Sequence, residues 1–407
     1  MPNIVFVAPY YVEATLRFAQ AVAETEDVRL GLVSQEPLER LPDRLRSQVA
    51  QHWQVDNALD VVHLTGAVEA IASRLGPIDR LLGVLEQLQV PLAETRRRLD
   101  IKGMEVETAR NFRDKARMKT LLREAGIPCA RHRLAETPQE VLRFAEEVGY
   151  PLVLKPPAGA GARSTYRVDG PEALQQAVEL TGPRTEEPVL VEEFVSGREH
   201  SFETISIDGQ PVWHSLSRYL PSPLEVLRKP WIQWCILLPR QIGEPRYDEV
   251  RQIAFKTLQT LGMATGLTHL EWFQRVDGSV AVSEVAARPP GAQLMSLTSY
   301  AHDFNFTRAW ACLMVHHEFE PPARRYVAGG AFLRGQGSGR RVVAVHGLEQ
   351  AQRELGSLVL EAKLPRPGQP ASDSYEGEGY VLMRHSDTDV VERGLMRLVS
   401  LVRVELG

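Results

Sequence analysis

Apolar positions recur along this chain with two periods, and the places where the period changes predict its layers. Residues 4–8 (Ile-Val-Phe-Val-Ala) form an unbroken apolar run, the mark of a strand buried on both faces. Residues 12–23 carry the i, i+3, i+4 spacing of a helix, and 28–33 reads as a second strand. Further strands are expected at 61–64 and 81–85, with a helix at 68–75 between them. Such alternation implies βαβ units and a parallel sheet. Ligands of such sheets bind beyond the carboxyl ends of the strands. Here those ends carry Tyr10 and Glu86, which become candidate substrate contacts. No G-x-G-x-x-G follows the first strand, so no dinucleotide site is expected.

A helix follows at about 114–125, ended by Gly126 and Pro128. The next opens at Thr137, with Pro138 at its first position and Glu140 completing a capping box, and closes at Gly149. The strand 151–155 ends in Lys155 and runs into a loop containing Gly159, Gly161, Ser164 and Thr165. Small residues let backbone N–H groups approach an anion closely, and a lysine adds a point positive charge suited to phosphate. The strand 189–195 turns polar at Glu192 and Glu193. A hairpin is expected over 201–207 and 211–216 about Asp208-Gly209, and a helix over 246–261. Residues 213–245, rich in proline and aromatics, read as a long irregular loop facing substrate or as a satellite hydrophobic cluster.

The stretch 268–291 then alternates strand-like runs about Asp277-Gly278, a strong hairpin signal. A two-residue turn there sets Val276 opposite Ser279 and Glu271 opposite Glu284, with His269 and Arg288 on the same face. Like charges directly opposed are destabilising. The pair therefore either tolerates itself on a solvated face or holds a cation, and Mg²⁺ takes one or two carboxylates plus substrate phosphates. Without a metal, replacing Glu284 by Gln should leave stability unchanged or slightly raised.

Length, at 407 residues, suggests two or three domains. A net charge of −5 leaves no electrostatic footprint for nucleic acid. Cys129, Cys235 and Cys312 are scattered, which suits a reducing cytoplasm, and neither a signal peptide nor a membrane span is expected.

The order of these features resembles the ATP-grasp superfamily over nearly the whole chain. Asn111-Phe112-Arg113-Asp114-Lys115 is similar to the family's first nucleotide-binding lysine, and Lys155 to the second, followed by the flexible loop that closes over phosphates. Glu192, Glu193, Phe194 and Val195 resemble the hinge that grips adenine, and Glu199 the acid that binds the ribose hydroxyls. Glu271 and Glu284 match the two metal-binding acids, and Arg288 the arginine that steadies the transferred phosphoryl group. Ala286 stands where many members have a further ligand, an asparagine, so the second metal would be held less tightly.

The resemblance implies an α/β and α+β fold. It would comprise an N-terminal parallel α/β (pre-ATP-grasp) domain at 1–105, an ATP-grasp domain at 106–325 with a lid at about 115–195, and a small C-terminal β-rich domain at 326–407. It implies ATP and Mg²⁺ (or Mn²⁺) as cofactors. A substrate carboxylate would attack the γ-phosphorus to give an acyl phosphate, and an amine would then displace phosphate. Arg288 and Lys155 would act at the transferred group, and His269 would receive the amine proton or serve as a hydrogen-bonded structural histidine. Partners would be small-molecule carboxylates and amines such as amino acids, and a homodimer is expected. A bicarbonate-activating carboxylase and a non-catalytic nucleotide-binding module are the alternatives. Arg340 and Arg341 offer cations for a substrate carboxylate, or are plain surface charges.

Overall fold

A computed structural model describes residues 1–159, 164–229 and 232–407. At the N-terminus the strands Val49–Gln54, Arg29–Ser34, Asn3–Val7 and Arg80–Leu82 lie side by side in that order, all parallel. Helices Glu13–Ala23 and Val61–Leu75 cross between them. The expected strand at 61–64 is instead the first turn of a helix. The Asp60 carboxylate accepts hydrogen bonds from the N–H groups of Val62 and His63, and that cap commits the apolar run to helix. The third strand in sequence, Val49–Gln54, lies at the sheet edge, half-exposed, so it shows no apolar run.

A second, antiparallel sheet falls in the segment expected to be the lid, in the order His132–Ala135, Val189–Glu193, Leu152–Lys155, Tyr166–Val168. Helices Pro138–Val148 and Pro171–Thr181 pack Phe144, Leu174 and Ala177 against it. Thr137 and Glu140 make the reciprocal capping box that the spacing predicts.

The central sheet has eight antiparallel strands, in the order Val280–Ala286, Gly266–Arg275, Gly197–Ile207, Gln210–Leu220, Trp234–Leu238, Val327–Leu333, Gly379–His385, Val359–Lys363. The C-terminal strands thus extend this sheet, and only three short strands make a sheet apart. The segment 213–245 is not a long loop. It completes one strand, forms the helix Pro223–Arg228 and continues as Trp234–Leu238. Its aromatics Trp213, Tyr219 and Trp234 are buried, while Trp231 lies outside the described residues. The Asp208-Gly209 turn has positive φ at both residues, the geometry that matches strand twist.

The N-terminal sheet is not a separate body. Phe18 packs edge-on against Trp310 of the helix Phe306–His316, ring centroids 4.9 Å apart, within one shared core. Among the described residues, no helix is long and apolar enough to cross a membrane.

Candidate active site

The hairpin that carries the two opposed glutamates is built by two compensating irregularities. Its loop has three residues, not two: Arg275 faces Ser279, and Gly278 takes φ +89°. Asp277 Oδ1 caps the loop by accepting from the Ser279 N–H at 3.0 Å. The ladder therefore starts one step away from the two-residue expectation. A bulge beside Ser283 then restores the register, and Glu271 pairs directly with Glu284. Val276, expected in the ladder, is instead the exposed loop tip.

The cation that these glutamates lack in their own hairpin comes from the helix Lys115–Glu124. Asp114 caps that helix, accepting from the N–H groups of Ala116 and Arg117, and so places Lys115 in its first turn. Lys115 Nζ lies 2.9 Å from Glu284 Oε2 and donates to the Gly159 carbonyl at 3.0 Å. Burial alone would push the Glu284 carboxyl up. Lys115 and Lys155 outweigh it and hold the group at about 2.

Lys155, at the end of its lid strand, is not a surface charge. Its Nζ lies 3.0 Å from Glu192 Oε2, with both side chains largely buried. Burial disfavours its charged form, but Glu192 and Glu284 hold the ammonium above its ordinary value. A third lysine, Lys119, is fully buried, 3.4 Å from Glu192 Oε1, and donates to the Ser283 carbonyl at 2.8 Å. Burial pushes Lys119 down. The same burial would raise Glu192, yet Lys119 and Lys155 keep it below the ordinary carboxylate value. The lid and the hairpin are thereby tied through one buried charge network.

His269 joins the network from the other side. Its Nδ1 lies 2.8 Å from Glu203 Oε1, and its Nε2 lies 3.5 Å from both Glu271 Oε1 and the Tyr219 hydroxyl. Burial would lower it, but the hydrogen bonds to Glu203 and Glu271 raise it to about 9. Glu199 is buried and, pushed by that burial and then by Glu271 and Glu284, sits well above the ordinary value. Arg288 is ion-paired with Glu86, so the loop after the last N-terminal strand closes one wall of the site.

At the expected hinge, the N–H groups of Glu193 and Phe194 donate to the Arg131 and Pro151 carbonyls, each at 3.0 Å. The Arg167 guanidinium lies 4.2 Å over the Phe194 ring. Val195 follows directly, and its N–H makes no backbone hydrogen bond among the described residues. Gly159 leads into the loop, with Ser164 and Thr165 on its far side; Gly161 lies outside the described residues. Arg341 donates to the Gly368 carbonyl, which gives it a structural partner.

Among the described residues, no three His, Cys, Asp or Glu side chains converge on one metal position. The opposed Glu271 and Glu284 nevertheless fit a Mg²⁺ ion that brings most of its oxygen ligands on a nucleotide's phosphates. Those two acids help to raise Glu199, and a cation held between them would offset that effect.

Sequence reading missed Lys119 and Glu203. Lys119 had a signal, since it lies four residues after Lys115 on the same helix face. Glu203 had none, because only the register that pairs it with His269 reveals it.

Residues 120–302 match the family model described as the ATP-grasp domain. The L-arginine-specific L-amino acid ligase of Bacillus subtilis is 25% identical over 250 residues, which is 59% of this chain and 59% of that protein. The alignment thus spans less than two thirds of that relative's length. Among solved structures, L-amino acid ligase from Bacillus licheniformis superposes with a TM-score of 0.78, over 100% of this chain and 99% of that one, at 20% identity. N5-carboxyaminoimidazole ribonucleotide synthetase from Thermotoga maritima gives 0.70 over 100% of both chains, at 16% identity. These two likenesses show the fold.

Proposed function

We propose that this chain, which carries an ATP-grasp domain and fits the ATP-grasp carboxylate–amine ligase superfamily, is an ADP-forming ligase that joins a small carboxylate to an amine. The observation that carries the reading is one constellation. Lys115, Lys155 and Arg288 stand with the opposed Glu271 and Glu284 where the lid, the central sheet and the N-terminal region meet.

In this reading ATP enters between the lid and the central sheet. The hinge at Glu193–Val195 holds the base, and Lys115 and Lys155 turn from their acids to the phosphates. Glu271 and Glu284 would hold Mg²⁺ (or Mn²⁺), which supplies charge neutralisation at the phosphates. A carboxylate oxygen attacks the γ-phosphorus, the bond to the β-phosphate oxygen breaks, and ADP leaves. The amine nitrogen then bonds the acyl carbon as inorganic phosphate departs, giving an amide. Positioning and charge account for such a transfer without a protein nucleophile. Arg288, parked on Glu86, would swing to the transferred phosphoryl group. His269, held in its charged form between Glu203 and Glu271, would have to give up its own proton before it could take one from the amine.

The likeness to L-amino acid ligases favours amino acids as both substrates. The test is phosphate and ADP release with Mg·ATP across amino-acid pairs, with bicarbonate as a separate arm. Amide products with ADP support the ligase. Turnover that depends on bicarbonate alone supports a carboxylase, and AMP with pyrophosphate removes the mechanism.

A further inference from the structure

A cavity of about 240 Å³ lies where the N-terminal region, the central sheet and the helix Phe306–His316 meet. The ligase chemistry above leaves it unused. It touches the catalytic residues only along 287–289, and Lys115, Lys155, Glu271 and Glu284 do not line it.

Among the described residues, the one buried charged side chain in its lining is Arg96, 8% exposed, on the helix Gln89–Arg98. Its Nε and Nη2 both donate to a single carbonyl, that of Leu81, at 2.9 and 2.6 Å. No carboxylate pairs with it among the described residues, and burial alone pushes it down to about 10. A buried cation without an anion is costly. The chain is shaped to this side chain. The linker that follows the helix runs directly against it at Gly103, where a Cβ would come within 2.7 Å of Arg96 Cδ and 2.9 Å of its Nε.

The remaining walls are apolar, with Leu82, Leu267 and Trp310 from the shared core. Met263 and Met314 meet over Gly266, where a Cβ would lie 2.9 Å from Met263 Cε and 3.9 Å from Met314 Sδ. Thioether side chains adapt to the shape of an apolar ligand. The more exposed lining residues carry both signs, Arg80 and Lys102 against Glu105 and Asp208, so they favour no second anionic group. The volume lies below the roughly 300–1,000 Å³ of pockets for drug-sized ligands, which sets aside a nucleotide.

We propose that this cavity is a binding site for a small apolar monocarboxylate, separate from the catalytic centre. The carboxylate supplies the counter-charge that Arg96 lacks, through charge-assisted hydrogen bonds to the guanidinium. The alkyl body lies among Met263, Met314 and Trp310.

Isovalerate serves as the probe and isoamyl alcohol as its uncharged counterpart. In isothermal titration isovalerate should bind wild type about tenfold tighter than the alcohol, or more, because only the acid makes the charged hydrogen bonds. Arg96→Met and Met314→Trp should each weaken isovalerate by about tenfold or more, the first by removing the charge and the second by filling the cavity. Arg96→Lys should recover part of the first loss. Cooperative thermal melts show that the variants fold, and if Arg96→Met does not, Met314→Trp decides with the cation intact. Isovalerate that fails to bind wild type, or binds no better than the alcohol, overturns the site. Binding that survives Met314→Trp overturns it too, since the acid would then sit elsewhere, as at the catalytic centre. Binding is read without turnover, so failure of the ligase reading would leave this result unchanged.

Discussion

Replacing Glu284 with Gln should destabilise the ligand-free protein, although the hairpin alone argues the opposite. Two opposed glutamates repel, and removing one charge would gain up to about 1 kcal/mol. Lys115 reverses the sign. Its ammonium lies 2.9 Å from the Glu284 carboxylate, and with Lys155 it holds that acid at about 2 rather than 4.5. A shift of this size corresponds to about 3 kcal/mol in favour of the charged form, an order-of-magnitude figure for a coupled pair. The variant also leaves Lys115 and Lys155 buried with less counter-charge, which acts in the same direction. We expect a loss of about 2–3 kcal/mol at pH 7, seen as a fall in Tm of several degrees.

The pH dependence carries the sign. A depressed carboxyl contributes fully above its ordinary value of 4.5 and loses its contribution as pH falls towards about 2. Thermal melts across that window should show a falling component in wild type that the variant lacks, with the two curves converging at the acid end. Mg·ATP should raise the wild-type Tm by mass action and the variant's far less. A variant that melts at or above the wild-type temperature at pH 7 would refute the reasoning, because glutamate repulsion would then outweigh the lysine pair.

Lys155→Ala should abolish the Tm shift with ATP and also lower apo stability, by about 2–4 kcal/mol, because Glu192 loses one of its two cations. Denaturant melts check this, and an apo midpoint equal to wild type would count against a buried pair. Lys119→Met should cost a similar amount, and adding Glu192→Gln should recover part of it; strict additivity in that double-mutant cycle would show the two do not interact. His269 is raised to about 9 from 6.5, so its contribution is present below 6.5 and lost as pH rises through about 9. Between those values wild type should lose about 3 kcal/mol that His269→Gln does not, and parallel melting curves would contradict the Glu203–His269–Glu271 bridge.

Much of the fold was legible because its signals are local. A buried parallel strand announces itself as an apolar run, and Thr137, Pro138 and Glu140 announce a helix start through bonds made within one turn. Glu271 opposite Glu284 was legible too, but by two errors that cancel: the loop holds one residue more than expected and the bulge at Ser283 takes it back. Where a short-range signal competed with another, sequence reading failed. The apolar run at 61–64 looked like a strand until Asp60 is seen to cap it, and the proline-rich stretch at 213–245 looked irregular although sheet pairing orders most of it.

The types of the site residues could be read along the chain, but their partners could not. Lys115 on Glu284, Lys155 and Lys119 on Glu192, Glu203 on His269 and Glu86 on Arg288 are contacts between residues 37 to 202 positions apart. Electrostatic energy depends on distance and burial, and chain spacing sets neither. The chain alone therefore specified which side chains the chemistry needs. Only the packing of lid, central sheet and N-terminal region decided which charges each of them meets, and so whether Glu284 repels its neighbour or holds the site together.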